Sequence, residues 1–186
     1  MAHTNKDEMK RIVLGSGDVY SVQFTGEIPT NETIETDENR MGHIQGGASV
    51  EYSPSFYTAK SDNGVAEKTI ITDEDLKLKL GLITWNTKVL DKITATGRVS
   101  ESEGKRTFKL GGIDNMKDTS YLFRFVHKDT VDGDVRITIV GSNQAGFTIA
   151  FAKDKETTIN PEIKAVALDS TGTLLIYEEE ILTTEG

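Results

Sequence analysis

The chain has no cysteine among its 186 residues. That excludes disulfides, a thiolate nucleophile and any cysteine-based zinc or iron–sulfur site. Proline is scarce, with 3 residues against 17 glycines, so turns must rely on glycine and asparagine. No apolar run nears the roughly 20 residues that a membrane-spanning helix needs. The opening MAHTNKDEMKR lacks the apolar stretch of a secretion signal, so a cytosolic product without a membrane role is expected. Collagen periods, heptad runs and low-complexity tracts are also missing. Positive charge is thin: 21 basic residues face 30 acidic ones, a formal net charge of −9. Such a chain is poorly suited to gripping nucleic acid, because phosphate binding depends on Lys and Arg displacing counterions.

Chemistry-bearing patterns are equally sparse. His3, His43 and His127 show no metal-ligand spacing, and structural roles are the expectation for them. DTVDGD, from Asp129, resembles a calcium loop, but the sixth position is Asp134 and the twelfth is Val140, where Gly and Glu are required. A solvated link between two strands is expected there. Asp73, Glu74 and Asp75 read as a polar turn. Gly15-Ser16-Gly17 does not extend to a dinucleotide fingerprint, and neither a phosphate-binding loop nor a nucleophile elbow occurs. No enzyme activity, cofactor or metal is predicted.

What the sequence does contain is alternation. Val19–Phe24 places Tyr20, Val22 and Phe24 on one face of a strand. Strand character returns over His43–Ser53 and Phe56–Ala59. Ser61-Asp62-Asn63-Gly64 then signals a hairpin, because Asn-Gly accepts positive φ at low cost. Lys68–Thr72 is the return strand, and Leu76, Leu78 and Leu80 alternate with Lys77 and Lys79. The one substantial helix is predicted over Thr84–Thr96, where Trp85, Val89, Leu90 and Ile93 fall at helical spacing. Thr84 is its expected cap and left-handed Gly97 its expected end. Strands follow at Thr107–Leu110, Tyr121–His127, Val135–Val140, Phe147–Ala152, Ile163–Leu168 and Leu174–Glu178. Short strands with Gly and Asp turns indicate a mainly β chain, a β-sandwich or barrel with one flanking helix, as a single domain.

Two features fit a lone domain poorly. The stretch Glu27–Arg40, EIPTNETIETDENR, is a polar loop longer than most domains carry, and is expected to be either functional or a mobile surface excursion. In GFTIAFAKD, Phe147, Ile149 and Phe151 mark one strand face, while the other carries only Thr148, Ala150 and Ala152. Ile163–Leu168 is apolar on both faces too. Either the single helix covers part of such a face, or a second copy of the chain does.

Two regions together carry a resemblance. GEIPTNETIETDENRMGHIQGGASVEYSPSFYTAKSDNG runs on to LKLKLGLITWN, and RTFKLGGIDN is followed by YLFRFVHKD and VRITIVGSNQAGFTIAFAKDKETTINPEIKAVALDSTGTLLIYEE. In that order, over about residues 15–179, the chain resembles the major tail, or tail tube, proteins of long-tailed bacteriophages and prophages of Gram-positive bacteria. The resemblance implies a β-sandwich with one flanking helix that assembles as homohexameric rings. The rings stack into a hollow tube that conducts double-stranded DNA to the host without binding it specifically. It also implies a place in the virion tail after assembly in the host cytoplasm, with tape measure, tail terminator and distal tail proteins as partners.

On this reading the polar N-terminal arm (about 1–14) precedes the tube domain, and the loop at about 27–41 orders on a neighbouring subunit or ring. Its contact candidates are Pro29, Thr30, Ile34, Asn39 and Arg40. Asn63 and Gly64 at the hairpin are further candidates, as are Thr148, Ala150 and Ala152. The acidic balance suits a bore that must not hold its cargo. Two alternatives stay open: the inner tube of a contractile tail or injection device, and a β-sandwich that binds a sugar or surface ligand through exposed aromatics.

Overall fold

The two faces of YLFRFVH organise the protein. In the computed structural model, which describes residues 16–181, Tyr121–His127 is a central strand. Its Phe123 is buried in one apolar cluster, and Leu122 and Val126 are buried in another, on the opposite face. The period-2 pattern therefore reads correctly, with both faces covered.

Among the described residues nine strands form two antiparallel sheets: β1 (Asp18–Gln23), β2 (Ile44–Lys60), β3 (Glu67–Leu82), β4 (Arg98–Ser102), β5 (Lys105–Lys109), β6 (Tyr121–His127), β7 (Val135–Asn143), β8 (Glu162–Val166) and β9 (Ile176–Glu179). The larger sheet has seven strands in the order β1-β6-β7-β8-β3-β2, with β9 beside the first half of β7. β4 and β5 form a separate two-stranded hairpin. The protein is thus mainly β and antiparallel. The second layer over the main sheet is a hairpin and a short helix, not a second sheet of equal size.

That helix, α2 (Thr87–Lys92), is shorter than the periodicity predicts. Asn86, not Thr84, is the cap: its side-chain oxygen accepts from the amides of Lys88 and Val89 at 2.8 and 3.2 Å. The Thr84 hydroxyl instead accepts from the His43 amide at 2.6 Å. Gly97 is not left-handed; it is buried where a Cβ would strike Thr94 and Phe108. Val89, Leu90 and Ile93 nevertheless face the core as expected, joining Val19, Leu78 and Phe123.

The polar stretch after β1 is not a bare loop. It contains a single helical turn, α1 (Asn31–Ile34), and Ile34 is fully buried against Tyr20, Leu122 and Val126. The chain then runs along the free side of β1, where Ser21 N donates to Asn39 O and Met41 N to Val19 O. So Glu27–Arg40 is ordered on its own sheet, covering the second face and closing one sheet edge. The loop thus folds without a neighbouring subunit, while Thr30, Glu32 and Asp37 remain exposed on its surface.

Two further expectations change. Phe147–Ala152 is not a strand: β7 has ended at Asn143, and among the described residues no segment forms a backbone ladder with it. Asp73, Glu74 and Asp75 are not a turn but lie within β3, paired with Ser55, Pro54 and Ser53. The link after β6 is the solvated turn expected, with Asp129 Oδ1 accepting from the amides of Val131 and Asp132. The N-terminal arm, at about 1–14, and His3 lie outside the described residues.

Candidate functional site

β2 and β3 are 17 and 16 residues long, far above the usual 5 or 6. At about 3.3 Å per residue, each reaches roughly 50 Å. A domain of this size has a radius of gyration near 16 Å and so a diameter of about 40 Å. One end of the hairpin must therefore stand clear of the body.

The register shows which end. Leu78 and Leu80 alternate into the core at 0% and 3% exposure, with Val50 and Ala48 paired opposite them. The same face continues outward through Tyr52, Pro54 and Phe56 on β2, and Ile71 is paired with Phe56. Beyond Leu76 the cover stops: Tyr52 is 50% exposed, Phe56 60% and Ile71 53%. On the opposite face, Tyr57 and Ile70 pair and are also exposed. A register shift between Ser55 and Phe56 marks a bulge at Thr72, whose hydroxyl donates to Ser55 O at 3.3 Å.

This arm, residues 51–75, is stiffened by its own polar contacts. Tyr52 Oη donates to Glu74 Oε1 at 2.5 Å, and Lys60 Nζ lies 3.1 Å from Glu67 Oε2. At the base Lys79 donates to Glu51, 2.6 Å away, which holds the Glu51 carboxyl below its usual range. Within the arm acidic residues predominate: Glu51, Asp62, Glu67, Asp73, Glu74 and Asp75, against Lys60 and Lys68 as its basic residues.

The tip is built as expected, by a different turn. Gly64 alone is left-handed, with φ of 68°, while Asn63 acts through its side chain, whose oxygen accepts from Ser61 Oγ at 2.7 Å and from the Val65 amide at 3.2 Å. Asn63 and Gly64 are exposed at the end of the arm.

The other predicted contact residues divide in two. Ile34 is buried, Asn39 and Arg40 are partly buried, and their contacts lie within the chain. Arg40 reaches Asp18 at 3.3 Å and sits 5.9 Å from the Tyr20 ring centroid. Pro29 is half-buried and Thr30 exposed. By contrast, Thr148, Ala150 and Ala152 are all exposed, as is Phe151 at 85%. Phe147 and Ile149 pack onto the core. Among the described residues no backbone–backbone hydrogen bond involves residues 144–158.

Behind the second face lies an ionic clasp. Arg136 makes two contacts with the Glu35 carboxylate, at 2.7 and 3.3 Å, and Asp134 is 3.1 Å away. Arg124, its side chain 3% exposed, lies 3.7 Å from Glu35 and from Glu178, and donates to Thr138 Oγ1 and to Asn31. Burial lowers the Arg124 pKa, and the neighbouring carboxylates oppose that. The clasp is closed by its own partners and fixes α1 to β6 and β7.

The Tyr52, Phe56, Tyr57, Ile70, Ile71 and Phe151 surfaces were not singled out from the sequence. The signal was strand length: two strands longer than the body that would hold them. No protein-family model matches this chain, and no curated protein matches it in sequence.

Proposed function

We propose that the protein is the structural subunit of a phage tail tube, in which homohexameric rings stack into a hollow conduit for viral DNA. The observation that carries this reading is the arm, whose apolar core-facing stripe runs on past the end of its own core. A hairpin with apolar pairs on both faces, standing in water, is marginal on its own. Aromatic and aliphatic surface of this kind belongs against another protein surface. Ring contacts join different patches on successive subunits, so a projecting element meeting a distant patch suits a ring. Tape measure, terminator and distal tail proteins are the further partners of such a tube. The acidic balance suits a bore along which phosphate slides.

The alternative of a ligand-binding module gains the exposed aromatics Tyr52, Phe56 and Tyr57. A small-ligand site needs them around a concavity, whereas here they stand on opposite faces of a projecting hairpin. The test is negative-stain microscopy of the concentrated protein. Rings or tubes support the subunit reading, and particles that stay monomeric at every concentration overturn it.

A further inference from the structure

We infer that residues 147–152 of one copy pair as a strand with the outer edge of β3, at Glu67–Ile71 in the arm of a second copy. The inference rests on the assembly reading above and deepens it by naming what meets what.

Both sides of this contact lack the same thing. The segment 147–152 has strand alternation, yet none of its backbone groups is engaged by another backbone group among the described residues. It is nevertheless held in place. Phe147 and Ile149 are anchored in the core, and the Thr157 hydroxyl donates to Ala150 O at 2.9 Å. Trp85 Nε1 donates to Thr157 O at 3.2 Å and secures that neighbour in turn. A segment already ordered loses little entropy when it binds. Its Thr148 and Ala150 side chains are exposed, so the segment can gain a neighbour without unpacking them.

β3 is its counterpart. It pairs with β8 only over Lys77–Lys79, and beyond that point its outer edge is open. The edge strand β2 is the other candidate, and two features disfavour it. Pro54 keeps its register opposite Glu74, so its nitrogen must point away from β3 and interrupt the donors along the outer edge of β2. The positive φ values of Gly46 and Gly47, 77° and 82°, accompany a register break nearer its start. Past the Thr72 bulge, β3 offers Glu67-Lys68-Thr69-Ile70-Ile71, a run free of Gly and Pro that holds three β-branched residues and is about as long as the segment it would receive. The exposed Phe151 of one copy and Ile70 or Ile71 of the other then bury each other beside the new ladder. Strand addition at an open edge is a standard mode of protein–protein recognition.

The absence of cysteine makes the test clean. Ala150→Cys protein is mixed with Thr69→Cys protein, and the mixture is oxidised under conditions that give rings or tubes. Only contacts between copies can join the two, and disulfides require Cα atoms within about 7 Å. The expected result is a heterodimer as the main cross-linked product. Thr58→Cys, one strand further in and paired with Thr69, should give none with Ala150→Cys. Rings or tubes that form with no Ala150–Thr69 cross-link, or with the Thr58 cross-link in its place, overturn the strand pairing and leave the assembly reading standing. Protein that stays monomeric overturns both.

Discussion

The two halves of the β2–β3 hairpin carry one alternation across the bulge at Thr72, yet differ in what covers them. In the proximal half Leu76, Leu78, Leu80 and Leu82 are buried, under α2 and the segment around Phe147 and Ile149. In the distal half Tyr52, Phe56 and Ile71 continue the same face and stay at least half exposed. Sequence pattern decides which way a side chain points. Only the path of the remaining chain decides whether anything meets it. The distal half is thus an element finished for pairing and left without cover.

Substitutions can sharpen that contrast. Leu78→Ala, at a site 0% exposed, removes packing from a closed core and should cost about 4 kcal/mol of folding stability in a denaturant titration. Glu35→Ala should cost about 3 kcal/mol in the same titration, because it leaves Arg124 and Arg136 with weaker partners in a largely buried site. Asn86→Ala removes the α2 cap and should cost about 1 kcal/mol. Phe56→Ser with Ile71→Ser should change the stability of the isolated chain by less than about 0.5 kcal/mol, as surface changes do. If that pair instead costs as much as Leu78→Ala, the two halves do not differ as described.

A smaller effect tests a turn far from the hairpin. Asp169 Oδ1 accepts from the amides of Thr171 and Thr173. Hydrogen bonds from Thr173 and then Thr171 hold its carboxyl well below the usual carboxylate range. A lowered folded-state pKa gives stability that is present above the unfolded value, near 3.9, and lost as pH falls through the folded one. Asp169→Asn should therefore narrow the stability difference between pH 6 and pH 3, and paired urea titrations of the two proteins would measure it.

Much of the fold was legible in the residues. The alternation of Tyr121–His127 and Val135–Val140 gave both faces of the central strands, and Asn63-Gly64 marked the tip of the hairpin. What was missed depended on contacts distant in sequence. Phe147–Ala152 has the pattern of a strand, but a strand needs a neighbour, and local alternation carries no information about one. α1 is a single turn, too short for helical periodicity, and only Ile28 and Ile34 in EIPTNETIETDENR hinted at an inward face. Pro54 looked like a break between strands, yet an edge strand can carry a proline whose nitrogen points outward. Of the proposed contact, Gly64 and Ala150 were singled out from the residues, and both are exposed. Its middle emerged only when the length of β2 and β3 was set against the size of the body.

The central claim is that the uncovered stripe on the arm is completed by another copy of the chain. Sedimentation velocity over a concentration series, comparing the wild-type chain with the Phe56→Ser, Ile71→Ser variant, tests it most directly. The account predicts that the wild type passes from monomer to rings or longer assemblies, while the variant stays monomeric and melts at the same temperature. A wild type that remains monomeric throughout, or a variant that assembles equally well, would contradict it.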